Sequence, residues 1–126
     1  MFEQKYGMGT SDGKHLILWD INKIIADIIH VNIPVSYMSV KELADGNTFN
    51  GNTEYSMTTD TNKPCIIVAF SGKGQKLIDG NHRLFKAKIM RQKTLLCYIL
   101  PEEYHKKFIV DFNEEQYNKV ISEYFL

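Results

Sequence analysis

The alternation of apolar and polar positions divides the chain into short segments of distinct type. His15-Leu-Ile-Leu-Trp19 is an apolar run, Asp20 is a good helix N-cap, and Ile21, Ile24, Ile25, Ile28 and Ile29 then recur at helical spacing. That spacing predicts an amphipathic helix whose isoleucine stripe faces the core. Val31–Met38 reads as a strand, and Pro34 places it at a sheet edge or a strand start. Ser39-Val-Lys-Glu-Leu43 predicts one helical turn, with Ser39 as its cap and Glu42 three residues on.

The second half alternates strand and helix signals more clearly. Pro64–Phe70 is short, apolar and β-branched, as a buried strand requires, and Ser71-Gly-Lys-Gly74 is a turn leading back into Gln75–Asp79, so a hairpin is expected. A helix follows from Asn81 to about Arg91, its apolar residues Leu84, Phe85, Ala87, Ile89 and Met90 spread over more than one face. Thr94–Leu100 is again strand-like, and Pro101 opens a short helix. Asn113 caps a last helix, with Glu114 and Glu115 in its first turn and Gln116 completing a capping box; Tyr117, Val120, Ile121 and Tyr124 form its stripe.

These elements predict an α+β fold as one domain over residues 1–126. A small mixed sheet is expected from the runs near Val35, Ile67, Leu77 and Leu96, with helices from Asp20, Asn81 and Asn113 packed on it. Residues 1–14, rich in glycine and without apolar period, read as a flexible lead-in. Residues 44–63 are rich in Asp, Gly, Asn and Thr and read as a long polar loop, which in a compact domain points to a functional segment such as a lid, with Phe49 and Tyr55 as its anchors.

Composition narrows the function classes. Apolar residues make up 44% and charged residues 24%, which excludes disorder throughout. Fifteen basic and fifteen acidic residues cancel, so the chain lacks the positive field of a non-specific nucleic-acid binder. A local basic cluster of Lys73, Lys76, Arg83, Lys86, Lys88, Arg91 and Lys93 reads as a solvated face. Cys65 and Cys97 sit inside apolar runs without a Cys-x-x-Cys, as buried, reduced core cysteines do. No apolar run approaches the roughly 20 residues that span a bilayer, and no signal core opens the chain, so a cytoplasmic protein without membrane partners is expected.

The stretch that stands out chemically is Asp79-Gly80-Asn81-His82-Arg83, a strand breaking directly into a helix. Such a helix start presents unpaired N–H groups and the positive dipole end, which favour phosphate or carboxylate. Arg83 and His82 add side-chain donors, and an Arg just inside a helix start opposes the dipole, so helix stability alone explains it poorly. The competing structural reading has Asp79 capping the helix and Arg83 paired with a carboxylate elsewhere. His82 is the candidate general base and Asp79 the candidate ligand for a divalent ion. No second carboxylate stands at a metal-ligand spacing, so no metal site of the protein's own is predicted. Asp12, Asp20, Asp45 and Asp60 are scattered in turns, which leaves a metal-dependent nuclease without a supporting pattern.

A strand, then Asp79-Gly-Asn-His-Arg83, then a helix with Ala87 in its second turn and a further strand to Leu100, resembles the core of the ParB N-terminal/sulfiredoxin-like superfamily. The likeness covers about Pro64 to Pro101, with a weaker echo at Ile33–Leu43. It implies a phosphate site at Gly80, Asn81, His82 and Arg83, with Ser39 and Lys41 as further contacts, and ATP or another nucleotide with Mg²⁺ as cofactor. Asn81 stands where sulfiredoxins carry a reactive cysteine, so peroxiredoxin repair is excluded. The nucleotide-binding ParB proteins carry acidic and arginine residues at the turn and append a helix-turn-helix module; with His82 and one further helix here, chromosome partitioning does not fit.

Two functions from different classes follow. One is a domain binding a nucleotide or another phosphorylated small molecule at the Gly80–Arg83 turn, with phosphoryl transfer or nucleotide hydrolysis as its chemistry. The other is a non-enzymatic interaction module with a protein partner, such as a phage-encoded, inhibitor or immunity-type accessory protein.

Overall fold

The computed structural model describes residues 4–45 and 63–126. Six strands and five α-helices follow one another along these residues. They are β1 (Lys5–Gly9), β2 (Leu16–Asp20), α1 (Ile21–Ile28), β3 (Val35–Ser39), α2 (Val40–Asp45), β4 (Cys65–Phe70), β5 (Gly74–Asp79), α3 (Asn81–Ile89), β6 (Thr94–Leu100), α4 (Glu102–His105) and α5 (Glu114–Tyr124), with a 3₁₀ turn at Lys106–Phe108. The α+β class with a mixed sheet is as the sequence predicts.

The residues fall into two compact units that interleave along the chain. The first takes the described residues up to Asn32, with Phe70–Gly74 and Pro101–Leu126. Its β1 and β2 pair antiparallel, Tyr6 opposite Trp19, and Trp19 bridges to Ile109. Trp19 is fully buried and its indole N–H donates to His105 Nδ1 at 3.2 Å, with the Phe70 ring edge-on to both. Asp20 caps α1 through the Lys23 N–H, and Asn113 caps α5 through the Gln116 N–H, both as expected.

Two expectations change here. The lead-in at 1–14 contains strand β1, which is made by pairing across to β2 rather than by any periodicity of its own. The isoleucine stripe is narrower than predicted: Ile21, Ile24 and Ile28 are buried, whereas Ile25 and Ile29 face solvent. An eight-residue helix covers the core with one line of side chains, and the flanking positions turn away.

The second unit takes the described residues of Ile33–Ala69 together with Gln75–Leu100. Its four-stranded sheet has the order β3-β6-β4-β5. β6 runs antiparallel to β3, Val35 facing Tyr98, and parallel to β4, Cys65 facing Cys97. β4 and β5 are neighbours joined by a turn too short for a parallel crossover, so they form the expected hairpin. Cys65, Ile67, Leu77, Leu84, Ala87, Leu95 and Cys97 make one apolar cluster that holds α3 on the sheet. Both cysteines are free thiols, buried as predicted. Helix α2 extends to Asp45, so Ala44 and Asp45 are helical rather than part of the polar loop. The rest of that loop, with Phe49 and Tyr55, lies outside the described residues.

Candidate functional site

The turn into α3 is set by Gly80. It ends β5 in a left-handed conformation, φ 113° and ψ 18°, which an L side chain rarely adopts. Space is as restrictive as torsion: a Cβ here would lie 2.4 Å from Cys65 Sγ and 2.8 Å from Cys65 Cβ. Glycine therefore lets the helix start sit directly on the first residue of β4. The Gly80 carbonyl accepts the first helical bond, from the Leu84 N–H at 2.8 Å.

Asp79 is buried, 8% exposed. Its carboxylate pairs with Arg83 one turn along the helix, Nη2 to Oδ2 at 2.8 Å. The other guanidinium nitrogen of Arg83 donates to the carbonyls of Pro64 at 2.7 Å and Lys63 at 3.2 Å. Arg83, expected to reach a ligand, thus holds the residues that lead into β4 and neutralises Asp79. It is a positioning residue, paired with Asp79 itself and not with a carboxylate elsewhere. Asn81 and His82 occupy the first turn half-buried.

The two thiols beside the turn are shifted in opposite directions, and Cys65 is brought down by its hydrogen bond with Cys97 against the effect of burial. Cys97 is pushed up by its hydrogen bond with Cys65 and by burial, so it remains a neutral thiol at physiological pH. Among the described residues, no group of three or more His, Cys, Asp and Glu could hold a metal ion.

Ser39 and Lys41, expected beside the turn, line a cleft at the opposite end of α3, about 13 Å away along its nine residues. The cleft encloses about 420 Å³, and its charged residues are Lys41, Asp45, Lys88, Arg91 and Lys93. Ser39 Oγ accepts from the Glu42 N–H at 3.2 Å, so its hydroxyl caps α2. The candidate residues are thereby divided, with Asp79, Gly80, Asn81, His82 and Arg83 at one end of α3 and Ser39 and Lys41 at the other. Sequence reasoning gathered Lys88, Arg91 and Lys93 as a solvated face and missed their shared concavity with Lys41. The left-handed backbone of Arg91, φ 57°, had no signal in composition or period.

No family model matches the chain, nor does any curated protein or solved structure.

Proposed function

We propose that this chain is a ligand-binding domain of the ParB/sulfiredoxin-like kind, taking a nucleotide or another phosphorylated small molecule at the turn from Asp79 to Arg83. The observation that carries this reading is the start of α3. It emerges from a strand through a left-handed glycine, which as N-cap offers no side chain of its own, unlike Asp20 of α1 and Asn113 of α5. Backbone donors and the positive dipole end at such a start suit a phosphate oxygen.

Asp79 already carries a counter-charge in Arg83, so a phosphate bound at the turn would bring Mg²⁺ as its own counter-ion, with Asp79 as the carboxylate that would hold it. Among the described residues no group of three or more His, Cys, Asp and Glu could hold a metal ion. The ion would supply charge neutralisation, Asp79 would hold it, and Arg83 fixes Asp79 in place. His82 would take a proton where the phosphate is transferred or hydrolysed.

A thermal-shift screen of nucleotides with and without Mg²⁺ tests the reading. A ligand at a hundred times its dissociation constant stabilises by about 2.7 kcal/mol. The shift should require Mg²⁺ and vanish in Asp79→Asn measured against its own ligand-free baseline. If no phosphorylated compound shifts the melting temperature under either condition, the turn is structural.

The interaction-module reading rests on a different observation. β3 is an edge strand of the four-stranded sheet, with Val35 and Tyr37 exposed on it, Tyr37 at 74%. An exposed edge with apolar side chains suits strand addition by a protein. Tyr37→Lys should then abolish partner capture while leaving nucleotide shifts intact.

A further inference from the structure

We propose that the cleft at the C-terminal end of α3 is a second anion site, independent of the turn, which takes a compact small molecule bearing two or more linked phosphates. Four observations converge on it.

The first is charge segregation. Lys41, Lys88, Arg91 and Lys93 line the cleft against one carboxylate among the described residues, Asp45, in a chain whose fifteen basic and fifteen acidic residues cancel overall. None of the four cations has an ion-pair partner among the described residues. Three uncompensated positive charges around one concavity repel one another unless an anion joins them.

Second, the cations come from different elements. Lys41 is on α2, Lys88 on α3, and Arg91 and Lys93 lie between α3 and β6. The negative end of the α3 dipole accounts for Lys88 and Arg91 but not for Lys41 on α2. Third, their backbones are tied into a fixed frame: the Val40 N–H donates to the Lys93 carbonyl at 3.0 Å, and Gln92 Nε2 donates to the Thr94 carbonyl at 2.7 Å.

The fourth observation is Arg91 itself. α3 ends in a Schellman motif, with the Arg91 N–H bonded to the Lys88 carbonyl and the Gln92 N–H to the Ala87 carbonyl. The residue at this left-handed position is ordinarily glycine, and arginine there is strained. Strain of this kind persists where the surrounding structure over-determines it, and it clusters at ligand sites; Asp111, φ 50°, is the other non-glycine case among the described residues.

Volume and charge define the ligand. About 420 Å³ holds a small molecule rather than a duplex, and the neutral chain lacks a basic track for a nucleic-acid backbone. Three net positive charges match linked phosphates better than a single phosphate or carboxylate.

Titration calorimetry at low salt and without divalent ions, using inorganic phosphate, pyrophosphate and tripolyphosphate, tests this. Omitting Mg²⁺ separates the cleft from the turn. Affinity should rise along that series and weaken about tenfold or more in Lys88→Gln/Lys93→Gln, since charge-assisted contacts are lost. Arg91→Gly is the decisive variant: it should raise the melting temperature by relieving the left-handed strain while weakening tripolyphosphate binding. A nucleoside triphosphate that binds as tightly as tripolyphosphate supports recognition of the phosphate chain itself. A higher melting temperature with unchanged affinity would assign Arg91 to helix termination only and overturn the proposal. So would equal binding of inorganic phosphate and tripolyphosphate, an absence of binding by all three, or tighter binding of a single-stranded oligonucleotide.

Discussion

Gly80 and Cys65 approach so closely that a methyl group on the glycine would lie 2.4 Å from the cysteine sulfur. Gly80→Ala therefore meets two penalties, a left-handed backbone and an overlap with a fully buried side chain. We expect a loss of about 3 kcal/mol in chemical denaturation. Adding Cys65→Ala should recover only part of it, because the Cys65 Cβ, at 2.8 Å, also obstructs the new methyl. Full recovery would mean that the backbone torsion is unstrained.

Arg83 neutralises a carboxylate that is only 8% exposed and ties down two carbonyls at the approach to β4. Arg83→Ala should cost about 2–3 kcal/mol, most of it from leaving Asp79 buried without its partner. Arg83→Lys should not restore the loss, because one ammonium cannot span both sets of acceptors in the guanidinium fork's geometry. In a double-mutant cycle, Asp79→Asn should reduce the cost of Arg83→Ala. Additive losses would show that the pair is uncoupled.

His105 accepts the Trp19 indole N–H through Nδ1 inside the first unit, with both side chains fully buried. His105→Leu keeps the apolar bulk but leaves that donor without its acceptor. A destabilisation of about 1–3 kcal/mol is expected, and Trp19 fluorescence gives a local readout. Wild-type stability in this variant would show that the indole finds another acceptor.

Glu102 links acid stability to the same unit. Burial acts to raise its carboxyl, but hydrogen bonds from the Tyr117 hydroxyl at 2.5 Å and the Ser71 N–H at 3.2 Å, with Lys106 nearby, bring it below the usual range. Its contribution is therefore present above the unfolded carboxylate value, near pH 4.3, and lost as pH falls through the lower folded value. Tyr117 titrates in the opposite sense, pushed up by burial and by Glu102, so its part is lost only at strongly alkaline pH. The stability gap between wild type and Glu102→Gln should narrow as pH drops from 7 to 3. A gap independent of pH would remove the carboxylate from the account.

The features legible in the sequence are those written in local chemistry. Asp20, Ser39 and Asn113 each cap the helix assigned to them, and the β4–β5 hairpin and the glycine turn stand where the residues place them. Features that depend on a distant partner were not legible. Lys5–Gly9 is a strand only because Leu16–Asp20 lies opposite. The pairing of Asp79 with Arg83 obeys helical spacing, but the carbonyls of Lys63 and Pro64 that complete it come from a separate part of the chain. Lys41 joins Lys88 and Lys93 through tertiary placement that no period records.

The position of β6 in the sheet has a kinetic consequence. It lies between β3 and β4, so the last strand to leave the ribosome is the one that joins the other parts of the sheet. Until Thr94–Leu100 emerges, β3 and the β4–β5 hairpin wait with unpaired edges, and the closing contacts must bridge long stretches of chain. Loop closure precedes the reward of pairing in such an order, which slows folding and prolongs exposure of the nascent edges. A stalled chain ending before residue 94 is thus the species most in need of protection by a chaperone.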